Sequence, residues 1–161
     1  HHEFPGAVPR SALGSFVVAV LSTPFVSYCA FMGLPKLFSL YITRFVLGAM
    51  TCTSLLKLRH EVARKFGYQV GIAFGLVTLS EYHSIFYVGR PLPNTYAVIL
   101  CNMAFVFWLQ EHYYRVFSLL AVAAAVFRAE LALLLAMIAL YALWQQKVTF
   151  ARTVRAVAIP G

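Results

Sequence analysis

Residues 11–35, SALGSFVVAVLSTPFVSYCAFMGLP, carry no charge and are long enough to cross about 30 Å of hydrocarbon as a helix. Ser22, Thr23 and Pro24 interrupt the run near its middle. Proline removes a backbone donor and favours a kink or a turn. The run therefore reads either as one kinked span or as two short helices that dip into a membrane and return to the same side. The choice decides the fold, because it sets which side receives the preceding ten residues, HHEFPGAVPR. That motif packs His1, His2, Glu3 and Arg10 around a turn at Phe4, Pro5 and Gly6. Polar groups this dense at the mouth of an apolar run are costly unless water, a ligand or each other satisfies them.

The rest of the chain points the same way. Of its 161 residues 61% are hydrophobic and only 11% are charged, with a mean hydropathy of +0.79. A soluble domain carries about 25% charged residues, so the expected fold is all-α, a polytopic transmembrane helical bundle. The net charge of +8 comes from thirteen Lys and Arg against five acidic residues, all Glu. These cations sit at the ends of apolar runs, which fits the positive-inside bias of a protein in a lipid bilayer and excludes a nucleic-acid surface. Cys29, Cys52 and Cys101 lie within apolar runs without C-x-x-C spacing, as free buried thiols do, and form neither a disulfide frame nor a zinc site. The absence of a basic n-region argues against a cleavable signal peptide. A first residue other than Met, and an ending in an apolar run, suggest one membrane-embedded partial domain over residues 1–161.

Further apolar runs follow at about 37–56, 66–88, 94–110, 116–127 and 131–146. Arg44 interrupts the first of these. Residues 57–65, KLRHEVARK, read as a cytosolic loop; as a short interfacial helix they would pair Lys57, Glu61 and Lys65 weakly at four-residue spacing. Gly71 and Gly75 have the small-xxx-small spacing of closely packed helices. Glu81 and His83, two apart, fall on different helix faces and form no joint metal site. Residues 89–93, GRPLP, form a tight connection, after which Asn94 is placed to cap a helix. The run 116–127 is too short to cross alone, but its alanines allow tight packing in a bundle. Arg128 and Glu130, also two apart, cannot face each other on a regular helix. Arg44, Glu81 and His83 read as polar contacts within the bundle.

With residues 57–65 in the cytosol, Arg90, Asn94, Arg128 and Glu130 come out together on the opposite face. If residues 11–35 span once, residues 1–10 fall in the cytosol, away from them. If the run re-enters at Pro24, all three polar motifs share one face. The re-entrant reading is the one that builds a site.

Those motifs resemble the dolichyl-phosphate-mannose-dependent mannosyltransferases of the endoplasmic reticulum. HHEFPGAVPR is most similar to the branch that adds the eighth, α-1,6-linked mannose to a dolichol-linked oligosaccharide in N-glycan precursor assembly. Gly89-Arg90-Pro91-Leu92-Pro93-Asn94 matches a family Thr-Arg-Thr-Leu-Pro-Asn signature in its Arg, Leu, Pro and Asn. Phe127-Arg128-Ala129-Glu130 matches the family's Phe-Arg-x-Glu. Gly89 and Pro91 replace two threonines, so their hydroxyls are lost. The family's proposed catalytic acid lies upstream of the double His, outside this sequence, and the catalytic residue is therefore unknown here.

The resemblance implies a C-type glycosyltransferase in the endoplasmic reticulum membrane, multi-pass, with its site at the lumenal face and membrane-dipping helices in its first lumenal loop. It implies dolichyl-phosphate mannose as donor, a dolichol-linked oligosaccharide as acceptor, and neither cofactor nor metal. His1, His2, Glu3, Arg10, Arg90, Asn94, Arg128 and Glu130 become substrate-binding candidates. Glu3 is also the one candidate base in the first motif, although positioning the acceptor or orienting the histidines is the favoured role. A lumenal guanidinium can hold the donor phosphate by a bidentate pair of hydrogen bonds. The rival readings are a transporter or channel fragment with Arg, Glu and His along a pathway, and a membrane scaffold without catalysis. The chain shows no internal repeat, which disfavours the transporter.

Overall fold

The computed structural model of the chain describes residues 13–81 and 86–145, and these contain helices and turns but no strand. The helices are α1 Leu13–Phe31, α2 Leu37–Phe66, α3 Tyr68–Ser80, α4 Pro93–Leu109, α5 Tyr113–Val126 and α6 Leu131–Trp144. The expected all-α class holds. Helices α1 and α2 are long and apolar enough to cross a membrane; α3 to α6 are shorter apolar helices.

The helix pair expected within residues 11–35 is absent, because α1 runs unbroken through Pro24. Proline forfeits one intrahelical hydrogen bond. Around it, Ser22 Oγ and Thr23 Oγ1 donate to the Ala19 carbonyl at 3.2 and 2.7 Å, which ties that turn together. The chain reverses later, where Gly33 takes a left-handed φ of 69° and the Leu34 amide reaches back to the Cys29 carbonyl at 3.1 Å. Pro35 then blocks any continuation of the helix.

Residues 57–65 are likewise not a loop. They form the last turns of α2, which ends at Gly67, with φ of 104°. Glu61 is buried and faces the end of α4, so it pairs with Arg64 at 2.6 Å and accepts from Gln110 Nε2 at 2.8 Å. Lys65 leaves the expected ladder as well, reaching the Leu109 carbonyl at 3.1 Å and Glu111 at 3.8 Å. The run 66–88 breaks at Ser80, whose hydroxyl donates to the Val77 carbonyl, and Glu81 continues in extended backbone. Helix α3 returns along α2 through its glycines. A Cβ on Gly71 would stand 2.5 Å from Ala63 Cβ, and one on Gly75 would stand 3.3 Å from Arg59 Nε. The small-residue spacing thus does what the sequence expects of it.

Helix α4 lies parallel to α2. Leu47 packs with Tyr96, Ser54 Oγ accepts from Asn102 Nδ2 at 3.1 Å, and Glu61 meets Gln110. Helix α5 doubles back along α4, and α6 along α5, around a core of Ala104, Val116, Phe117, Leu120, Ile138 and Ala142. Ala123 is fully buried, so the small residues of this short helix serve the tight packing read from the sequence. The three cysteines are free as expected, but none is fully buried: Cys52 is exposed, and Cys29 and Cys101 are partly buried. The arrangement leaves one polar end at Arg90, Asn94, Arg128 and Glu130. The other polar end holds Arg64, Lys65, Gln110, Glu111 and His112.

Candidate functional site

The first polar end is built on the connection into α4. A helical turn at Phe86 and Tyr87 leads to Gly89, and the Arg90 amide bonds back to the Tyr87 carbonyl at 3.0 Å. Leu92 is extended, as a residue before proline must be, and Pro93 opens α4 where no amide is needed. Two donors hold the Arg90 carbonyl: the Leu92 amide at 2.8 Å and the Thr95 hydroxyl at 2.9 Å. Thr95 is buried, so this connection is fixed from within α4.

With its backbone pinned, Arg90 directs its guanidinium over the Phe86 ring, 3.9 Å from the centroid. The Tyr87 ring stands 5.9 Å from the same group and edge-on to Phe86. A guanidinium stacked on an aromatic face uses that face without spending its N–H donors, which lie in its own plane. Among the described residues no carboxylate pairs with it. That is a cation held in place and left open to an anion.

Asn94 does not cap α4. The N-cap position is Leu92, without a side-chain bond, and Asn94 Oδ1 instead accepts from Arg128 Nη1 at 3.1 Å. Arg128 also pairs with Glu130 at 2.5 Å, which the spacing of two seemed to forbid. The pair exists because both residues lie in the turn between α5 and α6, where helical geometry does not apply. The structure therefore joins the second and third motifs through Asn94, Arg128 and Glu130. Behind Asn94, a cavity of about 460 Å³ lies between α2, α4 and the Arg90 connection, lined by Thr51, Leu55, Tyr87, Val88, Leu92 and Thr95 among others.

His1, His2, Glu3 and Arg10 lie outside the described residues. The helix that follows them does meet this end of the bundle. Gly14, in the first turn of α1, sits against Tyr96, where an added Cβ would come within 2.6 Å of the ring. Tyr96 stacks on Phe127 at 5.6 Å and packs with Val18 and Leu47. Its hydroxyl is buried and finds no hydrogen-bond partner among the described residues. One unbroken α1 thus begins against Tyr96, two residues along α4 from Asn94.

Three contributors were missed in the sequence. Phe86 and Tyr87 form the seat of Arg90, and an aromatic pair three and four residues before an arginine was the available signal. Thr95 supplies a hydroxyl to the connection that lost those at Gly89 and Pro91, but nothing in its spacing marks it. Among the described residues, no group of His, Cys, Asp and Glu could hold a metal ion.

The sequence profile of the Alg9-like mannosyltransferase family matches residues 8–160. The chain is 41% identical over 150 residues to the Dol-P-Man:Man(7)GlcNAc(2)-PP-Dol alpha-1,6-mannosyltransferase of Arabidopsis thaliana, covering 93% of this chain and 30% of that protein. It is 32% identical over 161 residues to the protein of the same name from Drosophila melanogaster, covering 100% and 24%. A third relative, the probable enzyme of that name from Schizosaccharomyces pombe, is 33% identical over 154 residues, covering 94% and 26%. The chain thus spans a quarter to under a third of the length of these curated relatives. No solved structure matches it. The match over nearly its whole length places this chain in the Alg9-like mannosyltransferase family.

Proposed function

We propose that the chain is part of a multi-pass C-type glycosyltransferase of the endoplasmic reticulum membrane. It moves mannose from dolichyl-phosphate mannose to a dolichol-linked oligosaccharide, in α-1,6 linkage. The observation that carries this reading is the Arg90 guanidinium, seated on Phe86 and free of any carboxylate among the described residues, beside Asn94 and Arg128. The names of the relatives support the donor and acceptor classes.

The chemistry assigns work to the residues at this end. The acceptor hydroxyl attacks the anomeric carbon of the donor mannose and loses its proton to a carboxylate. The bond from that carbon to the phosphate oxygen breaks, and the oxygen leaves with the electron pair. Arg90 holds the phosphate by a bidentate fork and stabilises the charge that grows on it. Asn94, Arg128 and Glu130 offer donors and acceptors for sugar hydroxyls nearby. His1, His2, Glu3 and Arg10, which precede α1 in sequence, are the further substrate-binding candidates, with Glu3 positioning the acceptor; the base itself is not assigned to this chain. A conduction pathway is the weaker reading, because Arg90, Asn94, Arg128 and Glu130 gather at one end of the helices rather than along them.

The orientation is tested with single cysteines in a cysteine-free, full-length protein in sealed microsomes. Cysteines at positions 90 and 128 should react with an impermeant maleimide only after permeabilisation, and one at position 65 before it. Equal labelling of positions 90 and 65 in intact vesicles overturns the shared lumenal face.

A further inference from the structure

We propose that Arg44 supplies a second guanidinium to the Arg90 site, so that a dolichyl-linked phosphate is gripped from both sides of Gly89. This inference rests on the phosphate-binding role of Arg90 and extends it to a residue on a different helix.

Arg44 lies in the apolar first half of α2, exposed, without a hydrogen bond or ion pair to any described residue. A charged side chain in such a stretch is rare unless it meets water, a partner or a ligand. The α2 backbone at this point touches the Arg90 connection. A Cβ built on Gly89 would lie 3.5 Å from the Arg44 carbonyl oxygen and 3.8 Å from Arg44 Cβ. Arg90 is the next residue, so two arginines spring from neighbouring points of α2 and the connection. Arg90 is held by an aromatic ring, and the carboxylate of Glu130 is taken by Arg128. The two side chains leave the backbone at neighbouring points, and a shared anion would offset the repulsion between their charges. A phosphate offers oxygens to both forks at once, and Arg suits that bidentate geometry where Lys does not.

Both lipid substrates carry such a group: a phosphodiester in the donor and a diphosphate in the acceptor. The test is therefore the KM for each, with kcat, for full-length Arg44→Gln and Arg44→Lys in microsomes at matched enzyme abundance. Arg90→Lys is measured in parallel. Arg44→Gln should raise the KM for dolichyl-phosphate mannose on the order of tenfold, and Arg44→Lys should recover part of the loss. A rise for the donor supports the proposal, and a rise for the acceptor alone places Arg44 on the diphosphate, apart from Arg90, and overturns it. Combined with Arg90→Lys, the effect on the donor KM should be less than the product of the single effects, because both side chains hold one anion. Should Arg44→Gln fail to accumulate, Arg44→Lys keeps the charge and decides alone. Unchanged KM for both lipids makes Arg44 a helix anchor that snorkels to the interface, and overturns the proposal. If Arg90→Lys still impairs donor use in that case, the function proposed for Arg90 survives.

Discussion

Replacing Arg90 with Gln in the full-length protein is expected to raise the KM for dolichyl-phosphate mannose about 100-fold, with Arg90→Lys costing roughly tenfold. Each hydrogen bond from an ionised donor to a charged acceptor contributes about 1.5–3 kcal/mol, so losing a bidentate pair accounts for an effect of this size. Lysine returns the charge but not the fork. The acceptor KM should move little, since Phe86 and Tyr87 hold Arg90 in one place and it is assigned to the donor phosphate. The fold should tolerate both changes, because the connection is held by backbone bonds and Thr95 rather than by the guanidinium. Steady-state kinetics with each lipid substrate varied in turn checks the result. A donor KM within twofold of wild type in Arg90→Gln would return this residue to anchoring a helix end.

Gly14→Val should be the most damaging change in α1. The Cβ alone meets three atoms of the Tyr96 ring at 2.6–2.8 Å, and the ring is trapped between Phe127 and the α1–α2 contact at Val18 and Leu47. Overpacking of this kind costs about 1–3 kcal/mol. The cost falls where the helix following HHEFPGAVPR docks beside Asn94, so transfer should drop at least about tenfold while the protein still inserts. Tyr96→Leu shortens the obstacle and should restore much of the loss in the double variant, a rescue that a general folding defect would not show. Mannosyl transfer by the single and double variants in microsomes measures it, and a double variant no better than Gly14→Val alone contradicts the contact.

The all-α class was legible because charge is so scarce and gathers at the ends of apolar runs. The glycine spacing at Gly71 and Gly75 was legible for the same kind of reason, since small residues at one spacing have one main use in a bundle. What misled was local chemistry whose outcome is set by neighbours. Pro24 looked like a break, but the hydroxyls of Ser22 and Thr23 bind the turn around it. Residues 57–65 looked like a loop because they are charged, yet Glu61 is drawn into the helix pair by Gln110 on a distant stretch of chain. Arg128 and Glu130 were kept apart by a helical rule that does not hold in the turn where they stand.

At the site, the sequence named Arg90, Asn94, Arg128 and Glu130, and the fold brings all four to one end. It could not show that Asn94 binds Arg128 instead of capping α4, because that contact crosses 34 residues. Nor could it show that Phe86 seats Arg90, which depends on the turn at Gly89 placing the two side chains face to face.

The central claim is that the donor's phosphate binds at the Arg90 end of the bundle, and photocrosslinking tests it most directly. A photoreactive phenylalanine analogue is placed at Tyr87 or, as the control, at Lys65 in the full-length protein, with radiolabelled dolichyl-phosphate mannose as the probe. Crosslinking at position 87, lost when unlabelled dolichyl phosphate is added, with none at position 65, is the predicted result. Competed crosslinking at position 65 and none at position 87 would place the donor at the opposite end and contradict the account.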